Sequence, residues 1–412
     1  MYRSMYPHSP LALSFQPQRP RVPRLEFVSG SRCLASLWIV CQHFSPHSSD
    51  GALVKALWRS DAAVDYFIVL SGFVTHWASR GAFATLQRHR DDAARWRDGA
   101  KRWYARRFGR VLLATYLAMA ASWAMVAAAG GDAAPGHVGR CFLLVESWLA
   151  PARWCPDGQT WTVAALAPSW LLYPAVYDRL VYERPAKVLA PLGLALAVLP
   201  TAIAVGLLRR GDAPFGSVHD AMYLWPPAQL CDFLLGVVSA ELAATHAARP
   251  RWRLAAPAAD ASCLVIAALV LVAPNPGSRY RTGFEELFDH GLAPLFAVFL
   301  YCAARDATAL EGEPGSIFAA LCRHDAPRSL GRASFEIYLF QWPLHAAFSA
   351  VGLDTKAGGE NFAAYVLALC VAAVCYEAYV ERPYVAWLRD KFRPLEPLGA
   401  ERSASSSSLP AL

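Results

Sequence analysis

Arg32 and His43 lie eleven positions apart in the apolar stretch from Phe27 to Phe44. A helix turns 100° per residue, so guanidinium and imidazole return to one face, about 16 Å apart along the axis at 1.5 Å per residue. Ionisable groups in an apolar helix cost several kcal/mol at bilayer depth unless they face a partner or a cavity, which makes the pair a functional-site hypothesis. An imidazole with an ordinary pKa of about 6.5 suits general-base work near neutrality, and a carboxylate such as Asp65 is a candidate for fixing its tautomer. Acyl transfer from a thioester to an alcohol needs a base for the hydroxyl proton, charge stabilisation for the oxyanion and exclusion of water. The plainer reading of His43 is a helix-end histidine bonded to backbone. Arg32 has two open readings: it binds a phosphate or carboxylate, or it pairs with Asp65 or Glu26 to become tolerable in the membrane.

Arg106, Arg107 and Arg110 stand where a basic segment enters the third apolar window. Their planar forks suit the diphosphate and 3′-phosphate of a nucleotide-type donor, although anchoring alone accounts for the residues from Arg80 to Lys101. Asp65 and the Ser71-Gly72 pair fall in the second window, where Ser-Gly allows close helix approach. Asp232, Asp289 with His290, Glu336 and Glu377 are further acids at boundaries or inside windows, each read first as a structural pair. His76 and His345 read as packed residues. His47 follows His43 by four residues, but Pro46 interrupts the helix and no third ligand is evident, so no metal site is expected. Cys141 and Cys155 both fall in a segment read as external, 131–160, and could pair in an oxidising compartment; the other cysteines read as small packing residues.

These side chains need a membrane scaffold. The 412 residues are 55% hydrophobic, 12% aromatic and 17% charged, with a mean hydropathy of +0.26, too apolar for an ordinary soluble domain. Windows that suit a membrane helix recur near 27–44, 62–78, 111–129, 161–178, 188–208, 220–243, 258–274, 286–304, 333–351 and 361–380. The expected fold is therefore all-α and integral to the membrane, a bundle of about ten transmembrane helices at about 20 residues per span. Lys and Arg alternate between the connecting segments as the positive-inside rule requires, with Arg209 and Arg210 as the exception, and place both termini in the cytoplasm. Residues 1–24 read as a disordered cytoplasmic arm without a cleavable leader, 25–385 as the transmembrane domain and 386–412, with the run Ser403–Ser408, as a disordered cytoplasmic tail. The net charge of +7 is accounted for by orientation, with anionic headgroups and an anionic cofactor as partners, and nucleic acid is a poor fit.

Five blocks in order carry a resemblance: Arg32 with His43, Asp65-Tyr-Phe-Ile-Val-Leu-Ser-Gly-Phe73, Tyr104-Ala-Arg-Arg-Phe-Gly-Arg110, Leu330 to Pro343, and Glu381-Arg-Pro383. Together they resemble the acyltransferase-3 family of multi-spanning O-acyltransferases, often O-acetyltransferases. The resemblance implies transfer of an acyl group from acyl-CoA to a hydroxyl of a carbohydrate, glycolipid or small metabolite, with acyl-CoA as a donor substrate and no permanently bound cofactor. The expected catalytic residues are His43, whose spacing from Arg32 matches the family, and Asp65; Arg32 and the Arg107–Arg110 pair, which resembles the family's Arg-x-x-Arg, are expected to bind the donor, and Ser71, Gln341 and Trp161 to contact substrate. Two departures stand out. The family's frequent Trp-Ser-x-Ser-x-Glu block is Trp161-Thr-Val-Ala-Ala-Leu166 here, and its frequent histidine near the late Trp-Pro is Gln341. A neutral Gln still orients a hydroxyl by donating and accepting hydrogen bonds. The competing class is a transporter or an inactive scaffold of the same fold, since buried Arg, His and Asp also mark substrate and proton pathways.

Overall fold

The computed structural model describes residues 25–46, 52–84, 92–131, 134–149, 155–210, 222–247, 254–272, 290–307 and 315–392. The 1–24 arm, His47, Asp289 and the Ser403–Ser408 run lie outside them. Among the described residues every regular element is helical. Helix α1 (Phe27–Phe44) is followed by α2 (Ala52–Leu57), α3 (Asp61–Ser79) and the long α4 (Asp92–Ala128). Short helices α5 (Pro135–Phe142) and α6 (Glu146–Leu149) lead to a tight 3-10 turn at Gly158–Thr160 and to α7 (Trp161–Leu172). At Pro174, which lacks the N–H of a regular helix, the backbone widens into a π turn (Tyr173–Tyr177) before α8 (Asp178–Val181). Then come α9 (Ala186–Arg210), α10 (Pro226–Ala247), α11 (Ala255–Val272) and α12 (Ala293–Ala307). The chain closes with α13 (Ile317–Arg323), α14 (Asp325–Arg332), α15 (Ser334–Ala350), α16 (Gly359–Tyr376), a second π turn (Glu377–Glu381) and α17 (Arg382–Lys391).

Each of the ten apolar windows overlaps a helix, but only five helical stretches among the described residues are long and apolar enough to cross a membrane: Ala93–Ala128, Ala186–Leu207, Pro226–His246, Ala255–Val272 and Gly359–Lys391. The others fall short for a physical reason. Helix α12 has 15 residues and α15 has 17, while α1 and α3 carry Arg32, His43, Asp65 and His76 among their apolar residues. Charged and polar groups are tolerated where a helix is enclosed by other helices. The apolar stretches in α9 and in α16–α17 are each only 22% buried and turn residues such as Leu194, Leu367 and Tyr379 outward, whereas α10 is 67% buried. Helix α17 continues to Lys391, past the expected domain boundary at 385.

Glycines set the closest crossings. A Cβ at Gly72 would overlap the carbonyl of Phe233, and one at Gly236 would overlap the carbonyl of Val69, so α3 and α10 meet backbone to backbone. The packed histidine of the sequence reading, His76, is buried in a polar network: Nδ1 is 2.9 Å from the Tyr173 hydroxyl and Nε2 is 2.8 Å from Glu241 Oε2, while Arg80 donates to both Glu241 oxygens at 2.7 and 2.8 Å. This ties the end of α3 to α10 and to the first π turn. Helices α1 and α15 run parallel in a fixed register. Ser36 Oγ donates to the Ser334 carbonyl at 2.8 Å, and His43 Nδ1 lies 2.9 Å from Gln341 Oε1, both pairs being 298 residues apart in sequence.

Candidate active site

His43 occupies the last turn of α1, where the helix dipole favours a cation and so stabilises an imidazolium when one forms. It lines a cavity of about 560 Å³ together with Gln42 and Ile39 of α1, Ser60 and Asp61 at the start of α3, Gln159 and Trp161 at the start of α7, Tyr223, Trp342 of α15, and Lys356. Gln341 has a fixed orientation, because its Nε2 donates to the Tyr338 carbonyl at 2.6 Å and turns Oε1 toward His43. An amide oxygen only accepts, so the 2.9 Å contact places a proton on His43 Nδ1 and leaves Nε2 as the basic nitrogen. Gln159 Nε2 also lies near Nδ1, at 3.3 Å, but that contact is longer and the Gln341 amide is held from behind, so the Gln341 bond decides the tautomer. Trp161 packs against Tyr223 with ring centroids 4.6 Å apart, and Trp342 lies 5.8 Å from the imidazole, giving the cavity aromatic walls.

Asp65 departs from expectation. It does not line this cavity; its carboxylate gathers with Asp232 and His290, all three buried, with ligand atoms within 4.8 Å of one another. The place at Nδ1 proposed for Asp65 belongs to Gln341. Sequence reading missed Gln159 altogether, since nothing about a Gln beside a Gly marks it. Its position comes from a capped turn: Asp157 Oδ1 accepts the Gln159 backbone N–H at 3.3 Å, and Thr160 Oγ1 donates to the Asp157 carbonyl at 2.9 Å. The Cys141–Cys155 disulfide, formed as the sequence allowed, ties this turn to α5, with Cα atoms 5.9 Å apart. Burial pushes the carboxyl groups of Asp157 and Glu146, both in this connecting segment, up to about 7.

The three arginines assigned to the donor meet at the other end of the bundle. Arg107 Nη2 donates to Ser71 Oγ at 2.9 Å, and its guanidinium lies 4.5 Å above the Trp170 ring. Ser71 therefore belongs to the arginine cluster; it does not line the His43 cavity. Arg110 pairs with Glu381, and Arg32 lies within electrostatic reach of Arg107, Arg110, Glu336 and Glu381. The acids near Arg32 are thus Glu336 and Glu381, while Glu26, one of the two partners expected for it, lies 3.5 Å from Arg328. Of the three expected substrate contacts, Gln341 bonds to His43 and Trp161 lines its cavity.

The family model described as an acyltransferase domain matches residues 25–377. The chain belongs to the acyltransferase-3 family. The acyltransferase MdmB of Streptomyces mycarofaciens is similar to it, 27% identical over 270 residues that cover 60% of this chain and 64% of the relative. The chain thus spans just under two thirds of that relative's length. No solved structure matches the chain.

Within this acyltransferase-3 chain the two departures have structural counterparts. Leu166 is buried among apolar residues of α7, and Asp157 and Glu146 bond to the turn that leads into that helix. Gln341 takes the hydrogen-bonding place beside His43. As for metal, the Asp65, Asp232 and His290 group brings ligand atoms together, yet both His290 nitrogens already meet protein oxygens, Asp232 Oδ2 at 2.7 Å and the Met222 carbonyl at 2.9 Å. His137 stands beside Cys141 and Cys155, whose sulfurs are committed to the disulfide.

Proposed function

We propose that this chain is a membrane O-acyltransferase that moves an acyl group, acetyl in the simplest case, from acyl-CoA to a hydroxyl of a carbohydrate, glycolipid or small metabolite. The observation that supports the reading is the His43–Gln341 pair, in which a proton on Nδ1 leaves Nε2 basic in a residue lining a cavity with aromatic walls. In this scheme His43 Nε2 takes the acceptor hydroxyl proton as the oxygen attacks the thioester carbon. The C–O bond forms, the tetrahedral intermediate collapses, the C–S bond breaks, and the imidazolium returns the proton to the departing CoA thiolate. Gln341 holds the ring throughout, and the α1 C-terminus stabilises the transient cation.

Arg107 supports the donor end. Its charge meets a hydroxyl and an indole face but no carboxylate among the described residues, which suits it to an anion such as a CoA phosphate. The two ends lie about 16 Å apart along α1 at 1.5 Å per residue, a span that an extended pantetheine arm covers. In this picture the arginine-rich segment and both termini face the cytoplasm, and the disulfide-tied segment faces an oxidising compartment. The acceptor hydroxyl enters on that outer side.

The test is acetyl-CoA turnover and acetyl transfer to a panel of hydroxyl acceptors by protein purified in detergent, comparing wild type with His43→Ala. Transfer that requires His43 supports the reading. The buried Asp65, Asp232 and His290 group favours the transporter or scaffold alternative, which predicts neither CoA binding nor turnover in folded wild-type protein.

A further inference from the structure

Resting on the donor-site reading above, we propose that Glu381 competes with the donor's phosphates for Arg110 and thereby sets the affinity for CoA. Glu381 is the last residue of the second π turn, is 5% exposed, and accepts from Arg110 Nε. Arg110 is half exposed, so the same guanidinium also faces outward from this pair. Glu336, 1% exposed and at the first turn of α15, lies within hydrogen-bonding reach of Glu381. Arg32, Arg107 and Arg110 thus share one locality with two carboxylates, and even with both acids ionised the cluster keeps an excess of one positive charge.

The division of labour inside the cluster is uneven. Among the described residues Arg107 bonds to Ser71 and lies over Trp170 and meets no carboxylate, so an anion arriving there displaces none of them. At Arg110 it must first displace Glu381 or share the cation with it, and like charges at that distance repel. Packing holds Glu381 in place: α17 comes against α4 at Gly109, where a Cβ would lie 2.8 Å from Leu388 Cδ1. The next residue, Arg382, turns away to pair with Glu377 at 2.7 Å, so this neighbouring cation does not neutralise Glu381. A carboxylate of this kind weakens donor and product binding alike. It favours release of CoA after transfer, at a cost in affinity for acyl-CoA.

A role that is only structural makes the opposite prediction, since removing one partner of a buried pair loosens the site. The experiment is calorimetric titration of the purified full chain with CoA, 3′-dephospho-CoA and acetyl-pantetheine. Glu381→Gln is expected to lower the CoA Kd about 5- to 10-fold, to change binding of phosphate-free acetyl-pantetheine little, and to steepen the salt dependence. Arg110→Gln is expected to raise the CoA Kd by about tenfold. Glu381→Asp, which keeps the charge but draws it back from Arg110 by one methylene, is expected to tighten CoA binding about 2- to 3-fold, and it decides the question if Glu381→Gln does not fold. Wild-type binding of CoA with equal or weaker binding by these Glu variants overturns this inference alone. Folded wild type that binds no CoA overturns the donor-site reading beneath it.

Discussion

At the scale of single residues, the site depends on which nitrogen of one imidazole carries the proton. Substituting His43 with Ala is expected to lower kcat for acyl transfer by about 10²- to 10⁴-fold, the usual worth of a general base, while the protein stays inserted and folded. Gln341→Ala removes one hydrogen bond to the base and is expected to cost roughly tenfold in kcat. Gln341→Glu is more telling. A carboxylate at Nδ1 stabilises the imidazolium, so the acid limb of the pH–rate profile should move to higher pH; a limb that stays in place would refute the assigned contact. Asp157 is expected to show itself in stability. Its carboxyl is raised from the usual carboxylate range to about 7, so the folded state holds a proton that the unfolded chain has released. Stability is then greatest at low pH, falls as pH rises from about 4 through about 7, and is level above that. Melting of the detergent-purified protein should follow this course, and Asp157→Asn should flatten it.

At the scale of elements, periodicity and apolarity exposed the helices but not how each was used. Each window overlaps a helix, because runs such as those in α9 and α11 satisfy their backbone internally and turn apolar side chains outward. Five stretches among the described residues meet the length and apolarity of a span; α12 and α15 are too short, and α3, which carries Asp65 and His76, is too polar. Arg32, His43, Arg107 and Arg110 could be read because ionisable groups in apolar surroundings need a reason. Gln159 could not, since its place depends on a turn and a disulfide. Nor could the gathering of Asp65 with Asp232 and His290, since these residues come together only when distant helices pack. The crossing of α3 with α10 is tested by Gly72→Ala or Gly236→Ala. Each added methyl meets a backbone carbonyl that cannot rotate aside, so a loss of about 1–3 kcal/mol or more is expected, read as a lower melting temperature.

At the scale of the whole molecule, the disulfide and the arginine cluster hold opposite ends of one bundle. The Cys141–Cys155 link closes a loop with a sequence separation of 14, and Cys155 itself borders the His43 cavity. Reduction, or Cys141→Ala, is expected to remove about 3 kcal/mol of local constraint and to depress acyl transfer more than CoA binding, because the loosened turn carries Gln159 and lies far from Arg107. The eleven-residue spacing of Arg32 and His43 also has an electrical consequence. Under the proposed topology the phosphates of CoA stop at the arginines, and only the uncharged pantetheine arm and acyl group enter the roughly 16 Å beyond. Moving one elementary charge through a membrane potential takes about 2.3 kcal/mol per 100 mV, but an acyl group carried this way moves none. Transfer in sealed vesicles should therefore run at the same rate whether or not a voltage is imposed across them.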